Sequence, residues 1–362
     1  MKIEKESVGK YSKISLASYF VAFVGVTLSV WGASWDITAH LLRTPETFFT
    51  PSHLVLYTGV GISLISALIN VGVLARKKEL RKQGYAFGSK MIIIGAIFQI
   101  IAGPGDFYWH EVFGLDGLLS PTHFALALGI LMTSIGVLVG MGRIRSDFGQ
   151  NNRFIKTMLP ISFGVFWFNV MWLIFFFVLP ISEGETHNFN PDPHAAIVLT
   201  FLALPFSYSL VFWSASKSIS RFGAATGAAL AFVVMNITSN ILTSENLFMF
   251  LPMYMVPLVA TLGADYILYK NNNSFIQKHK NKIAGSILGS VFFMFSFPML
   301  GMTFLEIYVY NDVFSYDVLH TSTDLLANIW MMSIVPGAIA GSLGITFASR
   351  KLDKVVSNLN QI

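Results

Sequence analysis

Residues 121–141 read PTHFALALGILMTSIGVLVGM, and apart from His123 no side chain in that stretch is acidic or basic. An uncharged apolar run of about 20 residues is long enough to cross the hydrocarbon core of a bilayer as a helix. A helix is required because the segment must satisfy its own backbone N–H and C=O groups in lipid. Runs of the same kind recur at 14–35, 53–75, 89–105, 157–180, 194–214, 222–241, 247–269, 283–305 and 322–348. The short alternating segments of a membrane barrel do not occur. Composition agrees: 54% of the 362 residues are hydrophobic and 12% are charged, with a mean hydropathy of +0.62. A typical soluble domain carries about 25% charged residues. The sequence predicts an all-α, polytopic membrane helix bundle with about ten transmembrane helices.

Charge fixes the expected orientation. Lys2, Lys5, Lys10 and Lys13 lie in the N-terminal arm, and Arg76 to Lys90 follow the second run. Arg143 to Lys156, Lys217 with Arg221, Lys270 to Lys282 and Arg350 to Lys354 fill the later loops on that same side. Only Arg43 falls on the other side, whose loops are acidic. The positive-inside rule then places both termini in the cytoplasm of a multi-pass protein of the cell (plasma) membrane, in contact with lipid. The basic residues are thus accounted for by topology, and no nucleic-acid partner is expected. The first run lacks a small-residue cleavage site and is expected to remain as an uncleaved anchor. The chain has no cysteine, which excludes disulfides and thiolate metal sites.

Polar chemistry is concentrated in one repeated pattern. Asp36, His40 and His53 are spaced D-x3-H-x12-H, and Asp106, His110 and His123 repeat that spacing. Each copy ends where a helix should begin, at Thr50-Pro51-Ser52-His53 and Ser120-Pro121-Thr122-His123. Proline suits the first helical turn, and Thr50 or Ser120 suits the cap before it. An Asp and a His four residues apart share a helix face. A carboxylate and two imidazoles suit Cu, Zn, Fe or Mn, and three protein ligands with an open position are the layout of a reactive site. Gly103-Pro104-Gly105 should bend the third helix just before Asp106. Nearby aromatics (Trp31, Trp35, Phe48, Phe49, Phe107, Tyr108 and Trp109) are read either as walls of a small pocket or as interfacial belt residues. A secondary metal group is read at His187, Asp192 and His194. Asn236 and Asn240 read as helix–helix glue.

These residues carry a family resemblance. Asp36-x3-His40 followed by Phe49-Thr50-Pro51-Ser52-His53, with Tyr57 and Gly59 in the apolar run beyond, resembles the C subunit of particulate methane and ammonia monooxygenases. Asp106-x3-His110 and Ser120-Pro121-Thr122-His123 resemble its second site, where the family has Asn in place of Asp106. The resemblance covers residues 15–145. It implies that Asp36, His40 and His53 ligate copper, that Asp106, His110 and His123 form a neighbouring site, and that O2 oxidises a small apolar substrate. It also implies A- and B-type partner subunits. The six further helices have no counterpart in an ordinary C subunit.

The expected organisation is a four-helix, C-subunit-like unit at 1–145 with two metal triads, then a six-helix region at 146–362. Within the latter, Leu251-Pro252-Met253-Tyr254 echoes the helix entry at His123, which suggests a decayed repeat plus two helices. Copper is the expected metal, with zinc as the alternative. Two other functions fit the residues. One is a membrane zinc hydrolase with Glu111 as general base. The other is a non-enzymatic metal-binding or accessory protein, with homo-oligomer formation open. In every case the metal sites fall on the non-cytoplasmic side.

Overall fold

The computed structural model describes residues 2–41, 47–77, 80–81, 85–114, 118–149, 152–178, 189–191, 193–243, 245–294, 316–354 and 356. Its helices are α1 (Lys2–Leu41), α2 (Pro51–Arg76), α3 (Tyr85–Phe113), α4 (Pro121–Phe148) and α5 (Arg153–Val178). They continue as α6 (Pro193–Ile219), α7 (Ala224–Thr243), α8 (Leu251–Tyr269), α9 (Ser274–Ser290) and α10 (Tyr316–Phe347). Strands are absent among the described residues. The chain is an all-α bundle, and α1–α8 and α10 are long and apolar enough to cross a membrane.

Nine such helices among the described residues stand where ten runs were expected. The difference is the run at 283–305. Helix α9 begins in the basic loop with Lys278, Lys280 and Lys282 and ends at Ser290, so its described part is short and half polar. Residues 295–315 lie outside the described residues, as do His187 and Asp192. His194 is described only as part of the α6 backbone, so the secondary metal group cannot be placed.

Lipid provides no hydrophobic drive between helices, so close approach at small residues holds such bundles together. Two hairpins show this with matching residues. In α1–α2, a Cβ at Gly25 would meet the backbone of Gly59 and Ser63. In α3–α4, a Cβ at Gly95 would meet the backbone of Gly129 and Thr133. Each member of the second set lies seventy residues after its counterpart, the same offset that relates the triads. The hairpins are joined at the end away from the triads by Tyr19. Its ring fills the notch at Gly140, and its hydroxyl donates to the Tyr85 carbonyl at 2.5 Å.

Helix α7 docks on α1 through a polar seam. Trp31 Nε1 donates to Thr238 Oγ1 at 2.8 Å, Ser34 and Ser239 share a hydrogen bond at 2.8 Å, and Thr38 Oγ1 donates to Asn240 Oδ1 at 2.8 Å. Asn240 also donates to Asn236 Oδ1 at 3.2 Å and to the Tyr254 hydroxyl. Asn240 therefore links α7 to α1 and α8, with Tyr254, at the helix entry that echoes His123, as one of its partners, while Asn236 meets Asn240 within α7. Asn240→Ala should cost about 1 kcal/mol, the usual scale of an interhelical hydrogen bond in a membrane bundle. Denaturant unfolding in detergent micelles measures it, and an unchanged midpoint would make the seam energetically neutral.

Candidate metal centre

Both triads are built by the same local device. Asp36 lies in the last turns of α1, and Asp106 in the last turns of α3. The entries to α2 and α4 bring Ser52 and Thr122 to them: Ser52 Oγ donates to Asp36 Oδ1, and Thr122 Oγ1 to Asp106 Oδ1, each at 2.8 Å. One residue on, His53 Nε2 lies 2.9 Å from Asp36 Oδ1, and His123 Nε2 lies 3.1 Å from Asp106 Oδ1. The α4 entry is capped as expected, with Ser120 Oγ accepting the His123 amide at 3.1 Å. The α2 entry is not, since Thr50 makes no side-chain cap and its hydroxyl bonds Thr47 O at 3.2 Å instead. Pro104 lies inside α3, which runs through it to Phe113.

The triads are not separate sites. The His40 ring centroid is 5.6 Å from that of His110 and 6.1 Å from that of His123, and those two are 5.5 Å apart. All six residues line one cavity of about 210 Å³ between α1, α2, α3, α4 and α5. Pairs seventy residues apart line it too: Ala33 with Gly103, Ile37 with Phe107, Phe48 with Leu118, and Leu56 with Leu126. The repeated hairpins thus bring two copies of one half-site face to face. Among the described residues, the donor atoms of Asp106, His110 and His123 all lie within 4.8 Å of one another.

Hydrogen bonding fixes the tautomer of three of the imidazoles. His40 Nδ1 lies 3.1 Å from Asp36 O, His53 Nδ1 3.0 Å from Thr47 O, and His110 Nδ1 3.0 Å from Gly114 O. A carbonyl only accepts, so each Nδ1 carries the proton and donates. A neutral ring protonated at Nδ1 carries its lone pair on Nε2, one of the two nitrogens through which histidine binds metals. Gly114 makes its share possible with φ +76°, a left-handed conformation suited to glycine just past a helix end, and its amide closes the helix on His110 O at 2.9 Å. At His53 the lone pair faces a carboxylate oxygen at 2.9 Å. Two acceptors do not sit at that distance without a proton or a cation between them. His110 Nε2, 3.5 Å from Asp106 Oδ2, and His123 Nδ1 are buried with no hydrogen-bond partner. The donor set therefore fits a metal ion.

Aromatics wall one side of the cavity. Phe48 packs on Tyr57 and Phe107, with ring centroids 5.3 and 5.9 Å apart, and Tyr57 stacks on His53 at 5.8 Å. Phe48 and Phe107 are thus pocket walls, whereas Phe49 and Tyr108 are 69% and 68% exposed and belong to the outer surface. Asn190 ties the far side by accepting the Leu119 amide at 2.8 Å and donating to Phe176 O at 3.0 Å. Glu111 lines the cavity beside His110.

Gln99, Asn169 and Trp172, buried lining residues with polar atoms, carry no role in the sequence pattern above. A signal for the first two exists. Each is an isolated uncharged polar residue inside an apolar run, and Gln99 lies seven positions before Asp106, on the same helix face. No protein-family model matches the chain, and no curated protein or solved structure matches it either.

Proposed function

We propose that the cavity is a metal centre in a multi-pass membrane protein, held by Asp36, His40, His53, Asp106, His110 and His123. The observation that carries this reading is the anchoring of three imidazoles through Nδ1–H to backbone carbonyls, which in His53 and His110 turns Nε2 toward the Asp36 and Asp106 carboxylates at 2.9 and 3.5 Å. Copper is the metal favoured, because it outcompetes its neighbours at an all-N/O site. The repeated D-x3-H-x12-H pattern and its helix entries support a divergent, extended relative of the C subunit of copper membrane monooxygenases. In that reading bound copper supplies redox chemistry, with O2 as oxidant of a small substrate. Phe48, Tyr57 and Phe107 give the cavity an apolar wall beside the ligands, while Ser52 and Thr122 hold the carboxylates in place. The termini are cytoplasmic, the centre lies toward the outer face of the plasma membrane, and A- and B-type subunits or further copies of the chain are the partners to seek.

A zinc hydrolase is the second reading, favoured by one observation: Glu111 lines the cavity next to His110, where a general base would stand. Mass spectrometric metal analysis of the purified chain, loaded in turn with copper and zinc, separates them. Copper retained in preference to zinc, with an N-rich paramagnetic resonance spectrum, supports the first reading. Zinc retained against copper moves the assignment to the hydrolase, and failure to hold either ion sinks both.

A further inference from the structure

The inner wall of the cavity is polar where a site for a purely apolar molecule would be smooth. Gln99, Asn169 and Trp172 all line it, and they are 4%, 2% and 3% exposed. Gln99 Oε1, Asn169 Oδ1 and Trp172 Nε1 have no hydrogen-bond partner. Buried polar atoms are rarely left so, because each costs about 1–3 kcal/mol unless something meets it.

The chemistry of these three atoms is well defined. Gln99 Nε2 is committed to Gly95 O at 3.2 Å and Thr133 Oγ1 at 3.0 Å, which identifies Oε1 as the free end, an acceptor. Trp172 Nε1–H can only donate. Asn169 offers an amide that can turn either way. Their depth also agrees. Gln99 is seven residues from Asp106 along α3, and Asn169 is seven from Phe176, whose ring lies 6.4 Å from that of His123. Seven residues are about 10 Å of helix, so both amides sit about two turns inward from the metal centre. Between the two ends the walls are apolar, with Ala33, Leu126 and Ile130 among them.

The internal repeat sharpens the point. The residue seventy positions before Gln99 is Ser29, whose hydroxyl turns to the Leu56 carbonyl at 3.5 Å. Asn169 and Trp172 come from α5, outside the repeat. The two half-sites match at the metal ligands and differ at the inner wall, so the polar wall is an added feature of this cavity.

We propose that Gln99, Asn169 and Trp172 form a recognition subsite for the polar end of a small neutral substrate, one with a short apolar body and a hydroxyl or carboxamide group. With a small turn of these closely packed side chains, such a group would donate to Gln99 Oε1 or accept from Trp172 Nε1–H, its apolar body lying between the subsite and the metal ligands. A cavity of about 150 Å³ already holds a benzene-sized molecule, and this one measures about 210 Å³. The inference rests on the reading of the cavity as a reaction site and replaces the wholly apolar substrate that the family resemblance implies.

The test is ligand-detected saturation-transfer NMR on the full chain in lipid nanodiscs. Probes are 1-propanol and propionamide, with n-butane as the apolar match of the alcohol, and metal content is measured on the same samples. The expected result is that both polar probes bind at least about tenfold more tightly than n-butane. Gln99→Leu and Asn169→Leu should lose that preference while keeping their metal. Trp172→Phe keeps the ring packing and removes only the donor, so it decides the matter if the leucine variants fold poorly. Metal-loaded wild type that binds n-butane as well as the polar probes, or binds none of them, overturns the subsite alone and leaves only water to meet these atoms. Wild type that holds no metal overturns the metal centre and the substrate assignment together.

Discussion

A chain carrying Asp106→Ala is expected to lose nearly all of its metal, not half of it, and Asp36→Ala is expected to do the same. Two independent sites would each survive loss of the other's carboxylate. The geometry argues against independence. His40, from the first triad, lies 5.6 and 6.1 Å from His110 and His123, little farther than the 5.5 Å between those two. Two unit charges about 6 Å apart repel by about 3 kcal/mol even at an effective dielectric of about 20. Cations in this cavity therefore depend on both carboxylates for compensation. The four imidazoles are neutral ligands when metal is bound and contribute no such compensation. Removing one carboxylate weakens the remaining one's hold on every ion present, by at least about tenfold in affinity on that repulsion alone. Metal analysis of wild type, both single variants and the double variant measures it. Half of the wild-type content in each single variant would establish two separate sites.

The sequence made the bundle legible because lipid imposes one rule on every span: a long, uncharged apolar run. The run at 283–305 is described only as far as residue 294, and its described helix α9 starts in the basic loop before it. Lys278, Lys280 and Lys282 sit on α9 itself, and helix formation does not require an apolar stretch when the segment lies at a membrane edge. The six metal-type residues were legible for a similar reason, since ionisable groups stand out against an apolar background. What spacing within a hairpin could not convey was that the two hairpins meet. That depends on contacts far apart in the chain, such as Tyr19 filling the notch at Gly140, and the offset of seventy residues was visible without saying which way the copies faced. The inner wall was missed because Gln99 and Asn169 are uncharged, and a lone amide in a membrane helix reads first as helix–helix glue. Asn240 plays that part here, while Asn169 Oδ1 has no partner at all.

The glycine seams connect fold to site, and they carry the second large effect. Gly95→Ala is expected to destabilise the bundle by about 2 kcal/mol and to lower metal affinity with it. An added Cβ at Gly95 would meet the backbone oxygen of Gly129 and the backbone nitrogen of Thr133, neither of which can swing aside as a flexible side chain would. Overpacking of that kind typically costs about 1–3 kcal/mol. The helices must part, and they part at the hairpin whose far end sets Asp106 against His123 at 3.1 Å and Thr122 at 2.8 Å. Two glycines of α2 supply the control. Gly61 and Gly72 have nothing within 4 Å of where a Cβ would go. Alanine there should be neutral or stabilising by up to about 1 kcal/mol, because glycine is the poorer helix former. Denaturant unfolding in micelles, followed by metal titration of each folded variant, reads both effects. Were Gly95→Ala to behave like Gly61→Ala in stability and metal affinity, hairpin spacing could not be what sets the ligand geometry. A loss confined to Gly95→Ala, repeated at Gly25→Ala seventy residues earlier, would tie both half-sites to the same packing rule.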